Sequence, residues 1–203
     1  MASSFRLYDY LSSGNCYKVR LLLTQLGLRF ERVEIDIMRG QTRTPEFLRK
    51  NPNGRVPLLE LPDGRLLAES NAILFYLADD TLFMPEDRFL RAKMLEWMCF
   101  EQYSHEPNIA TVRFWMHAGW ADQRREQIEA KRELGYAALG VMERHLAGRA
   151  FFVGERYSIA DIALYAYTHV AAEGGFSLKE YPEVRDWLAR VAAQPRHIPI
   201  TQG

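Results

Sequence analysis

The sequence predicts a two-part chain. An α+β domain on a small mixed four-stranded sheet occupies residues 1–79, a linker 80–87, and an all-helical domain 88–203. Up to about residue 80, strand-like and helix-like segments alternate in the order β-α-β-α-β-β-α; beyond it strand signals stop and long helical stretches follow. Between the two regimes lies a short polar connection with one proline, DDTLFMPED.

Residues 5–8, FRLY, form a short apolar strand. SSGN then opens a helix with Val19, Leu22, Leu23 and Leu26 at helical spacing, closed by Gly27. Residues 30–35 alternate and are β-branched, a second strand. Thr44 caps the short helix TPEFLRK, with Pro45 as its first residue. Residues 58–61 and 66–68 pair across PDG as a hairpin, and SNAILFYLA returns to helix. A parallel pair with a crossover helix, followed by an antiparallel pair, makes a mixed sheet. Further helices are expected over 88 to about 120, 122–145, 159–172 and 183–193. SIADIAL reads as a capping box in which Ser158 accepts from the amide three residues on and Asp161 reaches back. Tyr157 and Ile162 stand at the staple positions around it. A helix start accounts for these letters, so Ser158 and Asp161 are structural.

Lysine plus arginine equals aspartate plus glutamate, 26 each, so the net charge is zero and favours neither nucleic acid nor an anionic membrane. No apolar run approaches a membrane span, and the start, MASSFRLYDYL, lacks a long apolar core. Cys16 and Cys99 are too few for a disulfide framework. The expectation is a cytoplasmic protein. The five histidines are scattered without ligand spacing, and no metal is expected.

Pro57, following Val56 at the start of a strand, is the first candidate functional position. Proline cannot donate to a ladder, so it belongs at a strand start or an edge. If the bond is cis, the chain bends before the strand and the backbone of Val56 is turned outward, open to an extended peptide. A plain strand-start proline explains the same letters. Glu69 and Ser70 begin a helix directly after the strand that pairs with this one. A helix N-terminus with a hydroxyl suits a carboxylate and Glu69 an ammonium, together an amino-acid head group. SSGNCYK contributes Ser13 and Asn15 as short polar groups at a helix start, with Cys16 in the first turn, where its thiol pKa is expected to fall. In the helical half, Tyr103 and Arg113 have polar tips that need water or a ligand, which makes them candidates for a second-substrate pocket.

SSGNCYKVRLLL, TPEFLRKNPNGRVPLLEL, AESNAI and SIADIAL occur in this order over nearly all of the chain, which in them resembles the glutathione S-transferases, of bacterial type. The resemblance implies a thioredoxin-like N-terminal domain followed by an all-helical one, a cis Pro57, and glutathione as co-substrate. It implies that Val56 pairs with the cysteinyl part, that Glu69 and Ser70 hold the γ-glutamyl end, and that the glycyl carboxylate falls near Arg55 and the GQTR turn. At Thr42, followed here by Arg43, many members carry His or Gln. SGNCYK is similar to the Thr/Ser-x-Asn-x-x-Lys pattern of bacterial members, making Ser13 and Asn15 the thiolate-stabilising pair. Cys16 is the alternative, with Ser12 or a backbone-dominated site behind it. The implied activity is attack of glutathione thiolate on a hydrophobic electrophile, in a homodimer. A glutathione-dependent disulfide or peroxide reductase and a non-enzymatic interaction module are the other readings. Against a thioredoxin-type mechanism, Val19 stands where a partner cysteine for Cys16 would be.

Overall fold

The computed structural model describes residues 4–203. The chain forms two compact units, one reaching Thr81 and including Pro195–Gly203, the other Leu82–Gln194.

In the first unit the elements are β1 (Phe5–Asp9), α1 (Gly14–Leu26), β2 (Phe30–Glu34), a 3₁₀ turn at Gln41–Arg43, α2 (Pro45–Lys50), β3 (Leu58–Glu60), β4 (Leu66–Ala68) and α3 (Ser70–Ala78). The sheet runs β2-β1-β3-β4. β1 is parallel to β2 and antiparallel to β3, and β3 is antiparallel to β4, the thioredoxin-like mixed sheet. Parallel neighbours require a crossover, which α1 supplies. Leu7 pairs with Leu59 and Tyr8 with Leu58, so the two-residue period puts one buried pair on each face. Tyr8 and Leu58 join Phe47 of α2 in a cluster with Val33, Ile35, Val56 and Ala68 around it. Helix α1 is buried nearly all round and packs against α3 through an apolar core that includes Leu22, Leu23, Ile73 and Leu74. Gly27 ends α1 in the left-handed conformation, its N–H bonded back to Leu23 and Thr24.

The second unit contains α4 (Arg88–Phe100), a π turn at Glu101–His105, α5 (Glu106–His117), α6 (Arg125–Leu146), α7 (Ile159–Thr168) and α8 (Pro182–Ala192). Helix α7 is buried along its whole length, as its all-round apolar sequence requires. The capping box forms: Ser158 Oγ accepts from Ala160 N at 3.3 Å and Asp161 Oδ2 from Ser158 N at 2.9 Å. Asp161 also accepts from Phe152 N (3.1 Å), Ser158 Oγ (3.1 Å) and Trp187 Nε1 (2.9 Å). Burial pushes its carboxyl up to about 6 in spite of these donors.

Several boundaries differ from the sequence reading. The helix expected over 88 to about 120 is interrupted, because Pro107 lacks the N–H that would continue the ladder and the π turn absorbs the mismatch. Helix α7 stops at Thr168, and a separate 3₁₀ turn, Ala171–Gly174, follows. The largest difference is the chain end. Pro195–Gly203 belongs to the first unit, not the helical one. Backbone carbonyls there accept from α1: Tyr17 OH donates to Ile198 O at 2.7 Å and Arg20 Nη2 to Ile200 O at 2.8 Å.

Candidate functional site

Sheet register brings three segments to one end of the first unit. Leu58 pairs with both Tyr8 and Ala68. The residues just beyond, Asp9 at the end of β1 with Tyr10 after it, Val56–Pro57 and Glu69–Ser70, therefore lie together at this end of the sheet. The Val56–Pro57 bond is cis. The loop before it is shaped by buried Asn51, whose Nδ2 donates to Arg55 O (2.8 Å) and whose Oδ1 accepts from Asn53 N (3.1 Å). Gly54 has a φ of 60°, and a Cβ there would lie 2.9 Å from Thr42 O, so only glycine fits. Thr42 is thus a buried residue of the 3₁₀ turn packed on this loop, and Arg43 Nη1 donates to Asn53 O at 3.1 Å. Arg55 is exposed.

Glu69 is exposed and has a φ of 67°, a conformation costly for a residue with a Cβ. Its Oε1 accepts from Asn53 Nδ2 at 3.2 Å, which joins the Val56 loop to the start of α3. Ser70, the first residue of α3, is buried. Its Oγ donates to Asn15 Oδ1 at 3.1 Å and accepts from Lys18 Nζ at 3.5 Å. The starts of α1 and α3 are therefore stitched side chain to side chain.

Ser13 caps α1, its Oγ accepting from Cys16 N at 3.3 Å while its own N–H bonds to Tyr10 O at 2.9 Å. A hydroxyl used as acceptor keeps its proton to donate. Cys16 corrects the sequence expectation. It is fully buried, its sulfur accepts from Tyr10 N at 3.4 Å, and burial pushes its thiol pKa up, with the Asp9 charge adding to the effect. Position in a first turn does not lower a thiol pKa when desolvation outweighs the helix. Tyr8 has its hydroxyl engaged by Glu60 Oε2 at 2.7 Å.

In the second unit, Tyr103 lies on the π turn and is 87% exposed. Arg113 is only 6% exposed, and its Nε donates to Glu173 Oε2 at 2.6 Å. The reason for reading it as a ligand contact, a polar tip in need of a partner, is thereby removed. Glu173 is distant in sequence and could not be anticipated.

Sequence reasoning missed three features of the first unit. Lys18 lies fully buried beside Ser70, Asp9 and Arg20 form a buried ion pair at 2.6 Å, and Asn51 organises the Val56 loop. A signal existed for the first two: YKVRLLL places two charges on a helix otherwise apolar enough to be buried. Among the described residues, no group of three or more His, Cys, Asp or Glu is arranged to hold a metal, and no helix is long and apolar enough to cross a membrane.

Residues 3–79 match the family described as the N-terminal domain of glutathione S-transferase, and residues 96–195 match its C-terminal domain. The crystal structure of a glutathione S-transferase from Pseudomonas fluorescens superposes with a TM-score of 0.96 at 52% identity, covering 98% of this chain and 100% of that one. Ure2p in complex with glutathione superposes with a TM-score of 0.90 at 26% identity, over 100% of this chain and 95% of that one. Among characterised relatives, the disulfide-bond oxidoreductase YfcG of Escherichia coli is 31% identical over 198 residues, 92% of this chain and 89% of its own.

Proposed function

The chain belongs to the glutathione S-transferase family, and on that premise we propose that it is a glutathione transferase that activates the glutathione thiol at Ser13. The observation that carries this is the stitched pair of helix starts, Ser13–Asn15 and Glu69–Ser70, beside Val56. Ser70 and the α3 N-terminus receive the γ-glutamyl carboxylate, and Glu69 its ammonium. Val56 offers backbone N–H and C=O to the cysteinyl residue as in strand addition. Arg55 and the Thr42 turn lie toward the glycyl carboxylate. The Ser13 hydroxyl, supported by Asn15 and the α1 N-terminus, donates to the sulfur.

The energies suffice. A free thiol titrates near pH ~8.5, and lowering that by about two units requires about 2.7 kcal/mol in favour of the anion. A hydrogen bond to a charged group contributes about 1.5–3 kcal/mol and a helix N-terminus up to about 2. The thiol proton leaves to solvent, the sulfur pair attacks an electrophilic carbon, and a halide departs or an unsaturated bond accepts the electrons. No protein acid–base pair is needed.

Similarity to the Escherichia coli disulfide-bond oxidoreductase favours a second reading, in which the same thiolate attacks a disulfide sulfur or a peroxide oxygen. The burial of Cys16 argues that glutathione, not the protein, then supplies the reacting thiol. Calorimetry of glutathione binding in buffers of different ionisation enthalpy tests the core of both. Proton release by the wild type, lost in Ser13→Ala or Asn15→Ala, is expected. Absence of binding overturns both and leaves an interaction module. Turnover with a halide-bearing aromatic against turnover with a mixed disulfide separates them.

A further inference from the structure

Thiolate chemistry at Ser13 assigns no role to Arg20 or to the chain end that folds back onto α1. Arg20 is fully buried, and its one planar group ties three segments together. Nη1 holds both carboxylate oxygens of Asp9, at 2.6 and 2.8 Å, where β1 ends. Nη2 donates to Leu11 O at 2.7 Å, two residues before Ser13, and to Ile200 O at 2.8 Å. One turn earlier on α1, Tyr17 OH donates to Ile198 O at 2.7 Å and lies 3.2 Å from His197 Nε2. Ile198 and Ile200 are both buried, so their alternate side chains anchor the segment while its carbonyls take the α1 donors.

We infer that residues 197–200 act as a strap which, through Arg20 and Tyr17, holds the β1–α1 loop in the position that presents the Ser13 hydroxyl. Arg20 is a positioning residue for the reaction, and the inference rests on the assignment of Ser13 as the thiolate donor. Within the loop, the bonds that bear on Ser13 run through its neighbours. Tyr10 bonds to Cys16 Sγ through its N–H and to Ser13 N through its carbonyl. Leu11 O is gripped by the same Nη2 that grips Ile200 O. Release of the tail would leave that buried donor with one acceptor fewer, and a rigid guanidinium cannot re-aim at the tail without moving at the loop.

The test compares the thiol titration of bound glutathione, followed by thiolate ultraviolet absorbance, in the wild type, Tyr17→Phe, Arg20→Lys and the double variant Ile198→Ser/Ile200→Ser. Loosening the strap is expected to raise the bound thiol pKa by about one unit, the scale of one weakened charged hydrogen bond. Glutathione affinity above that pKa should change less than about twofold, since Val56, Glu69 and Ser70 keep their own bonds. If Arg20→Lys does not fold, Tyr17→Phe and the tail variant, which leave the buried ion pair in place, decide the matter. Folded variants whose bound thiol titrates as in the wild type overturn the strap and leave the Ser13 assignment standing. A wild type that does not lower the glutathione thiol pKa overturns that assignment, and the strap's role with it.

Discussion

Helices α3 and α7 both begin with an acidic residue close to a serine, yet the two starts are built in opposite ways. At α7 the serine comes first and the acid three residues later, so Ser158 and Asp161 turn inward on each other. The carboxylate is fully buried and surrounded by Phe152 N, Ser158 N, Ser158 Oγ and Trp187 Nε1. At α3 the acid precedes the serine. Glu69 adopts a strained backbone, points its carboxylate to the surface and makes no capping bond to its helix. One start stabilises the fold through local satisfaction. The other exposes the Glu69 carboxylate, held by Asn53, and buries the Ser70 hydroxyl against Asn15 and Lys18 of a different helix. Residue order, more than residue type, separates a cap satisfied within its own turn from one held by distant side chains.

Five substitutions at four positions test this contrast and the α1 start beside it. The largest effect is expected from Asp161→Ala, which strands several buried donors and should cost about 4 kcal/mol in denaturant unfolding. The milder Asp161→Asn probes the pH dependence. With its folded pKa raised to about 6 from an ordinary value near 4, this carboxyl binds its proton more readily in the folded state. Its contribution to stability is therefore complete below about pH 4 and is lost as pH rises through about 6, a downward slope that Asp161→Asn should remove. Next comes Ser13→Ala, expected to lower kcat/KM by about 10- to 100-fold, the worth of one hydrogen bond to a thiolate, with about 1 kcal/mol of stability lost with the cap. A smaller effect is expected from Glu69→Gly. It should weaken glutathione binding by about tenfold, read by calorimetry, without lowering the unfolding midpoint, because glycine relieves the positive φ. A matching loss of stability there would collapse the distinction between the two starts. Least is expected from Cys16→Ser, whose hydroxyl still offers Tyr10 an acceptor. Its turnover should stay within about threefold of the wild type, and a loss of activity would reinstate Cys16 as a reacting group.

The mixed sheet, the all-helical half, the Thr44 and Ser158 caps and the segments carrying Ser13, Val56 and Ser70 were legible in the amino-acid order. Each rests on local physics: hydrophobic period, turn chemistry, or a side chain reaching a backbone amide within one turn. What remained for tertiary structure was every property set by neighbours distant along the chain. Burial reversed the expected shift of Cys16, Glu173 took the tip of Arg113, and the break at Glu101–His105 divided a helix that periodicity read as continuous. The return of residues 195–203 to α1 had no local signature, because it depends on carbonyls that any sequence carries and on donors about 180 residues away. Periodicity reports which face of an element is apolar. It is silent on which buried charge meets which, since in a desolvated interior that is decided by the partner the fold happens to bring within hydrogen-bonding distance.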